Sequence, residues 1–437
     1  MNIGIVGLGF VGLSLASVLA AKNYNVIGID TDKKKCLKIK KGITPIFEPG
    51  LEEILRVALK KSLVINNEFS LLKNCDVIFV TVGTPQQSNG KIELSMIKKA
   101  TAAIGKMVEK TKKNPIILIK STVIPGTIEN IVLPILEKQS GKKPNKDFGV
   151  ISNPEFLQES NAIHDTKYPH AIILGGPETK YMKKAKTFFS KIHPNVKIIV
   201  TKYQTAEIIK YANNSFLATK ISFINQLSNI CQNIPNANID DVAKAIGLDP
   251  RIGKLFLSAG PGYGGSCLPK DMSALISFAG SVGVNPTFLK AVEKTNLEQV
   301  DNILSLMEKT LGNLTSKKIT ILGIAFKPNT NDIRASKSVE LIKKLLKNKA
   351  KITVHDPKAL ENTKKMFGKK IEYAKTLADA LDKSHCAVIM TQWKQYNQLN
   401  KNSLKPMKRK IIIDSRRVLM GKELGGKYFA VGVGKQS

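Results

Sequence analysis

Residues 2–30 read NIGIVGLGFVGLSLASVLAAKNYNVIGID. A β-branched run at 3–6 leads directly into Gly7-x-Gly9-x-x-Gly12, a helix is predicted over 10–22, and a second strand-like run over 26–30 ends on Asp30. Each glycine has a separate task in a dinucleotide-binding turn: Gly7 permits the tight turn, Gly9 lets backbone approach a pyrophosphate, and Gly12 allows close helix–strand packing. The helix opened at Phe10 and Val11 aims its N-terminal N–H groups and the positive end of its dipole at the phosphates. A lone GxGxxG is weak, but Asp30 follows at close to the expected spacing of about 20 residues, where its carboxylate accepts ribose hydroxyls. Asp30 disfavours a 2′-phosphate, so NAD is expected over NADP, although Lys33, Lys34 and Lys35 nearby pull the other way.

Outward from this turn the rhythm repeats. Short strand-like runs at 63–65, 77–82, 116–120, 150–152, 171–174 and 197–200 alternate with helical patterns, which implies a parallel α/β sheet. From about residue 204 the pattern changes to long helical stretches, 205–233 and 286–311. A second α/β rhythm opens at residue 318 with ITILGIAF and continues through 338–347, 351–355, 387–391 and 410–414. The expected fold is therefore α/β, two Rossmann-like doubly wound domains joined by a helical segment: 1–203, 204–314 and 315–437.

Composition narrows the partners. With 68 Lys+Arg against 34 Asp+Glu the net charge is +34, which suits nucleic acid, a membrane surface or phosphorylated small molecules. The basic residues are scattered as pairs, and 6% aromatic residues leave few stacking platforms, so no nucleic-acid module is read. The apolar N-terminus lacks a preceding cationic segment and is broken by four glycines in its first twelve residues, so neither a signal peptide nor a membrane span is expected. Five well-separated cysteines with no Cys-x-x-Cys pair argue against a disulfide framework or a metal site and fit a cytoplasmic protein.

The second informative stretch is GPGYGGSCLPKD at 260–271. Its glycines make a loop that can approach a ligand closely, and Pro269 begins a helix through 278. Cys267 is thereby placed just ahead of a helix N-terminus with Lys270 nearby, two features that favour the thiolate. The other four cysteines sit in apolar or helical stretches and are expected to be core residues. Lys210 and Asn214 share a helix face, and Glu155 and Glu159 follow a strand, but such groups are commonly surface residues. The turns Val82-Gly83-Thr84 and Lys120-Ser121-Thr122, each at a strand's carboxyl end, would line the same crevice as the glycines.

Taken together these segments resemble the UDP-glucose/GDP-mannose dehydrogenase family over nearly the whole chain. The matching blocks run in family order: GLGFVG at 7–12, PIFEPGLEEIL at 45–55, VGTP at 82–85, KSTVIPGT at 120–127, NPEFLQES at 153–160, KYANNSFLA at 210–218, RIG at 251–253, GPGYGGSCLPKD at 260–271 and AFKPNTNDIRAS at 325–336. The resemblance implies a four-electron oxidation of a nucleotide sugar at C6. NAD accepts a hydride from the alcohol, Cys267 captures the aldehyde as a thiohemiacetal, a second NAD oxidises it to a thioester, and water releases the uronic acid. It further implies that Lys210 and Asn214 stabilise the oxyanion, that Asp271 and Thr122 hold the catalytic water, and that Glu155 is the base for hydrolysis. Gly7, Gly9, Val11, Gly12, Asp30, Lys35, Thr84, Thr122, Glu159, Lys270 and Arg334 match NAD-contacting positions. The substrate positions are Glu155, Phe156, Leu157, Gln158, Glu159, Lys210, Asn214, Phe256, Leu257, Ser258, Ala259, Gly260, Gly264 and Lys327, with Arg251 reaching across a homodimer.

Three places depart from the family pattern. Ser160 stands where glycine is common, Gln86-Gln87-Ser88-Asn89 replaces a more acidic stretch, and Ser415-Arg416-Arg417 is a variant of Asp-x-Arg-Asn. UDP-glucose is the first expectation for the substrate, with GDP-mannose and UDP-N-acetyl-hexosamine as alternatives. A two-electron β-hydroxyacid dehydrogenase would share the glycine turn and the Lys-x-x-x-Asn helix but would not require Cys267.

Overall fold

The computed structural model describes residues 1–435. The chain forms two compact units, Met1–Asn213 and Asn214–Ser437. The long helix Tyr203–Cys231 begins in the first and continues in the second.

The first unit is built on eight strands: β1 (Asn2–Val6), β2 (Asn25–Ile29), β3 (Leu63–Asn66), β4 (Val77–Val80), β5 (Ile116–Ile119), β6 (Gly149–Ser152), β7 (Ile172–Gly175) and β8 (Ile198–Thr201). They lie in the order β3-β2-β1-β4-β5-β6-β7-β8. The first six are parallel neighbours, whereas β7 and β8 run parallel to each other and join β6 in the opposite sense through Ser152 and Gly175. A parallel sheet covered on both faces needs apolar side chains in both directions. The strands meet this residue by residue. Val77, Phe79, Ile116 and Leu118 enter one apolar cluster, while Ile78, Val80, Ile117 and Ile119 enter the other. Helix Phe10–Ala21 is buried along nine of its residues, which explains why its sequence has a membrane-like apolar run. Among the described residues no helix is long and apolar enough to cross a membrane.

The second unit contains the helices Ile239–Ile246, Leu268–Ser281 and Thr287–Leu311. Its sheet has β9 (Lys318–Leu322), β10 (Lys351–His355), β11 (Glu372–Tyr373), β12 (Cys386–Ile389), β13 (Ile411–Asp414) and β14 (Lys427–Ala430). The order is β11-β10-β9-β12-β13-β14, all parallel, the same order as the first six strands of the other sheet. The expected α/β class with two doubly wound sheets is thus the observed one. The two edge strands, β11 and β14, have no counterpart in the sequence reading. One is two residues long and the other is only partly buried, so neither carries the continuous apolar run of a central strand. The runs expected to reach Val82 and Lys120 stop earlier, because those residues already belong to the turns at the strand ends.

Candidate active site

In the first unit the chain order reverses between β1 and β4, and the glycine turn lies at the carboxyl end of β1 beside that switch point. Gly7 has φ +95°, and a Cβ there would lie 2.9 Å from the Val82 nitrogen. A Cβ on Gly12 would lie 1.9 Å from the Gly7 carbonyl oxygen, so the helix rests directly on the turn. Gly9, the residue capping helix Phe10–Ala21, is different: nothing lies within 4 Å of a Cβ placed there, and no side chain caps the helix. Its leading N–H groups are accordingly available to an anion. The Thr81 hydroxyl donates to the Val6 and Gly7 carbonyls, fastening the turn to β4, a role that its sequence context did not reveal.

Asp30 follows β2, and its Oδ2 accepts the Leu8 N–H at 2.9 Å and the Lys35 ammonium at 2.7 Å, while Oδ1 accepts the Asp32 N–H. The carboxylate is thus fixed at the mouth of the glycine turn, and the expected Asp30 and Lys35 positions form one ion pair. An open helix N-terminus, a turn with no room for side chains at Gly7 and Gly12 and open space at Gly9, and an acid fixed beside it fit a dinucleotide.

Farther along the same strand ends lies a buried charge cluster. Lys210 pairs with Glu155 at 3.1 Å, both side chains less than one-tenth exposed. The other Glu155 oxygen accepts the Leu157 N–H. The Phe156 ring lies 5.4 Å from the Lys210 ammonium and packs edge-on against His170. Lys120 donates to Asn153 Oδ1 at 3.2 Å, and desolvation pushes its ammonium down to about 8 despite the attraction of Glu155. Helix spacing alone had left Lys210 and Asn214 as candidates for solvated surface groups; both are buried. Thr84 is buried at the end of the β4 turn, and Thr122 and Glu159 are half-buried.

The Ser160 departure has a backbone explanation. Its φ is +69°, a left-handed value that glycine adopts without strain. Buried Glu48 steadies it, accepting the Ser160 N–H at 2.7 Å and the Ala162 N–H at 2.8 Å. A further buried acid, Glu207, accepts the Gly126 and Ile128 N–H groups at 2.7 and 3.0 Å, holding the segment that follows Thr122. Burial pushes Glu207 up to about 7.

In the second unit Cys267 is exposed and caps helix Leu268–Ser281, with the Ser266 hydroxyl 3.5 Å from its sulfur; the other four cysteines are buried. One turn on, buried Asp271 accepts the Asn214 amide at 2.6 Å and pairs with Lys270. The glycine loop is folded against the segment after β9: a Cβ on Gly264 would lie 2.3 Å from the Ala335 carbonyl oxygen, and one on Gly265 would strike the Phe326 ring. Asn296 accepts the Tyr263 N–H and donates to its carbonyl, fixing the loop from helix Thr287–Leu311. A shallow cavity is lined by Gly262, Gly264, Phe326, Lys337, Thr391 and Arg416, among others.

Of the remaining expected substrate positions, Leu257, Ala259 and Gly260 are buried, Ser258 is exposed and Phe256 takes φ +65°. Lys327 lies 5.9 Å from the Phe326 ring. Arg251 and Arg334 extend into solvent, each paired with an aspartate two residues before it. Arg416 and Lys337 line the cavity although neither carried an assigned role from sequence. Their signal was faint, since the Ser-Arg-Arg segment stood out only as a variant. Burial pushes the Arg416 guanidinium down to about 10. No group of three His, Cys, Asp or Glu side chains able to hold a metal occurs among the described residues.

Comparison with known proteins gives the family. Three family models match in succession: the UDP-glucose/GDP-mannose dehydrogenase family NAD binding domain over residues 1–193, its central domain over 204–298 and its UDP binding domain over 320–421. The chain is 40% identical to a UDP-glucose 6-dehydrogenase of Rickettsia conorii, covering 99% of both chains. It is 35% identical to one from Haloferax volcanii over 97% of this chain and 98% of the other. A solved UDP-glucose dehydrogenase from Pyrobaculum islandicum superposes with a TM-score of 0.91 at 33% identity, covering 99% of this chain and 98% of that one.

Proposed function

The chain belongs to the UDP-glucose/GDP-mannose dehydrogenase family, and from that premise we propose that it oxidises UDP-glucose at C6 to UDP-glucuronate through a thioester on Cys267. It is an NAD-dependent dehydrogenase. NAD, when bound, supplies the two-electron acceptor for each of the two oxidations. Gly7, Gly9, Val11 and Gly12 would hold its pyrophosphate, with Asp30 at the ribose, and Lys35, Thr84, Thr122, Glu159, Lys270 and Arg334 would contribute further contacts.

The chemistry of the chain itself centres on sulfur. The Cys267 thiolate adds to the aldehyde carbon, and the carbonyl oxygen takes up a proton to give the thiohemiacetal. Removal of the C6 hydrogen with its electron pair, and of the hydroxyl proton, leaves the thioester. Water then adds its hydroxyl to the acyl carbon, a proton returns to sulfur, and the uronic acid is released. Lys210 and Asn214 stabilise the developing oxyanion, Asp271 and Thr122 hold the water, and Glu155 accepts its proton. Residues 155–159, 256–260, Gly264 and Lys327, with Lys210 and Asn214, receive the nucleotide sugar.

The observation that carries this reading is the pairing, within one unit, of an exposed thiol at a helix start with a buried Asn214–Asp271 hydrogen bond one turn on. The test is the yield of NADH against a panel of UDP-glucose, GDP-mannose and UDP-N-acetyl sugars. Two NADH per UDP-glucose are expected, and Cys267→Ser should lower uronate formation at least a thousandfold. One NADH with accumulating aldehyde, or a Cys267→Ser protein of unchanged rate, would discard the thioester in favour of two-electron chemistry.

Phe216, Phe223 and Ile230 recur every seventh residue along helix Tyr203–Cys231, each about half exposed or more, a stripe suited to pairing with a second copy. A homodimer built on the 204–314 segment, with Arg251 reaching the partner's substrate, is the assembly this reading expects. Phe223→Asp should then halve the mass measured by sedimentation. Five free cysteines suit a cytoplasmic protein.

A further inference from the structure

One peptide bond of the proposed substrate loop is held at both ends by buried side chains from distant parts of the chain. Its carbonyl, that of Ala259, accepts the Arg417 Nη2 at 2.9 Å. Its N–H, that of Gly260, donates to Asn225 Oδ1 at 2.8 Å. The same guanidinium donates through Nη1 to the Val431 carbonyl at 2.9 Å and through Nε to Asp240 Oδ2 at 2.8 Å. The Arg417 side chain is only 2% exposed. Three segments therefore converge on it: helix Ile239–Ile246, the loop before the glycines, and the backbone just past β14.

The backbone makes the choice of arginine informative. Arg417 has φ +57°, a left-handed conformation costly for a long side chain and tolerated by asparagine. Asparagine is also the residue that the family-like Asp-x-Arg-Asn segment leads one to expect at this position. An arginine kept in a strained conformation, with each of its three guanidinium nitrogens donating a hydrogen bond, is held there by what it binds. Orientation of the Ala259–Gly260 peptide then matters to the cavity, because Gly260 lies flush against Arg416: a Cβ on it would come within 2.5 Å of the Arg416 Nη1. We infer that Arg417 is a positioning residue for the reaction, fixing the Ala259–Gly260 peptide and, through it, the Arg416 guanidinium that faces the sugar nucleotide. The inference rests on the reading that residues 256–260 receive that substrate.

The test compares the full-length wild type with Arg417→Asn, Arg417→Lys and Asp240→Asn. Arg417→Asn relieves the left-handed backbone but leaves the Ala259 and Val431 carbonyls without their donor, so its thermal midpoint should fall by several degrees; a loss of binding measured well below that midpoint, on protein shown to be folded by circular dichroism, reads positioning rather than collapse. Amide hydrogen exchange across residues 257–262 should accelerate at least tenfold. The Kd for UDP by titration calorimetry and the KM for UDP-glucose should each rise about tenfold, as expected when a hydrogen bond from a charged donor is lost. The KM for NAD should stay within twofold and kcat within threefold. Arg417→Lys, whose single ammonium cannot reach three acceptors in fixed directions, should recover less than half of the lost affinity. Asp240→Asn keeps both donors to the carbonyls and should change UDP affinity less than threefold. Wild-type UDP affinity in Arg417→Asn overturns the inference, and so does an Asp240→Asn loss equal to that of Arg417→Asn. A wild-type chain that binds no UDP overturns the substrate reading instead, a separate result that calorimetry distinguishes.

Discussion

Six strands of the first sheet share the strand order of the second, yet the equivalent acids have different surroundings. Asp30 stands after the second strand of the first sheet and Asp356 after the second strand of the other. Asp30 receives two backbone N–H groups and a lysine. Asp356 receives four backbone N–H groups, from Ile324, Ala325, Lys358 and Ala359, and the Trp393 indole as well, at 2.7–3.1 Å. A carboxylate has about four acceptor sites, so Asp356 is saturated by its own chain and has nothing to offer a ribose. The turns differ in the same sense: Gly7-Leu-Gly9-Phe-Val-Gly12 lets a helix start at Phe10, whereas Gly323-Ile-Ala-Phe leads into a long irregular segment before helix Lys337–Lys347. The same strand order thus carries an acid with an acceptor site left over in one sheet and an acid saturated by its own chain in the other.

The largest expected effect separates these two acids. Asp356→Ala leaves five buried or half-buried donors without their acceptor and should cost about 4 kcal/mol or more, read by denaturant unfolding of the second unit. Asp30→Ala should leave the folded protein intact and raise the KM for NAD about tenfold. If the two substitutions had equal effects on stability, the comparison would fail. Next in size, Gly12→Ala should lower NAD affinity by about a hundredfold with a smaller loss of stability, because the added Cβ pushes the helix off the Gly7 carbonyl that it would otherwise meet at 1.9 Å.

Smaller effects probe how the first unit tolerates imperfectly satisfied groups. Glu207 carries a folded pKa raised to about 7 from an ordinary 4.5, so the native state holds more protons than the unfolded chain between those values. Stability should therefore be highest on the acid side and fall as pH rises from about 4.5 through 7, by an amount on the order of 3 kcal/mol. Glu207→Gln should flatten that slope in thermal melts taken across the range, and an unchanged slope would assign it to other groups. Smallest, Ser160→Gly should stabilise the protein by about 1 kcal/mol by removing the left-handed strain at that position, while a loss would mean that the Ser160 side chain contributes more than its backbone costs.

Much of this was legible in the residues because the relevant signals are local. Strand–glycine–helix–strand spacing within residues 2–30 predicts a dinucleotide turn, and alternation of apolar runs predicts both sheets. Cys267 stood apart from four other cysteines because a glycine loop on one side and Pro269 on the other imply a helix start, which the chain has. The edge strands β11 and β14 were invisible for the converse reason: a short or half-exposed edge carries no apolar run to read. Thr81, Arg416 and Lys337 were equally hidden. A threonine inside a strand end or a lysine at a helix start has no local mark of what it will touch.

The glycines, the cysteine and the order of the blocks were enough for the fold class, the cofactor and the family, since each reports a backbone geometry or a reactive atom within a few residues of itself. Partners far apart in the chain were beyond that reach. Asp30 is joined by Lys35 but fixed by Leu8, Glu155 meets Lys210 across more than fifty residues, and Arg417 grips Ala259 from 158 residues away. Those pairings depend on which strand ends lie side by side and on how much water is excluded between them. Both are set when the sheet closes, and no short stretch of residues carries them.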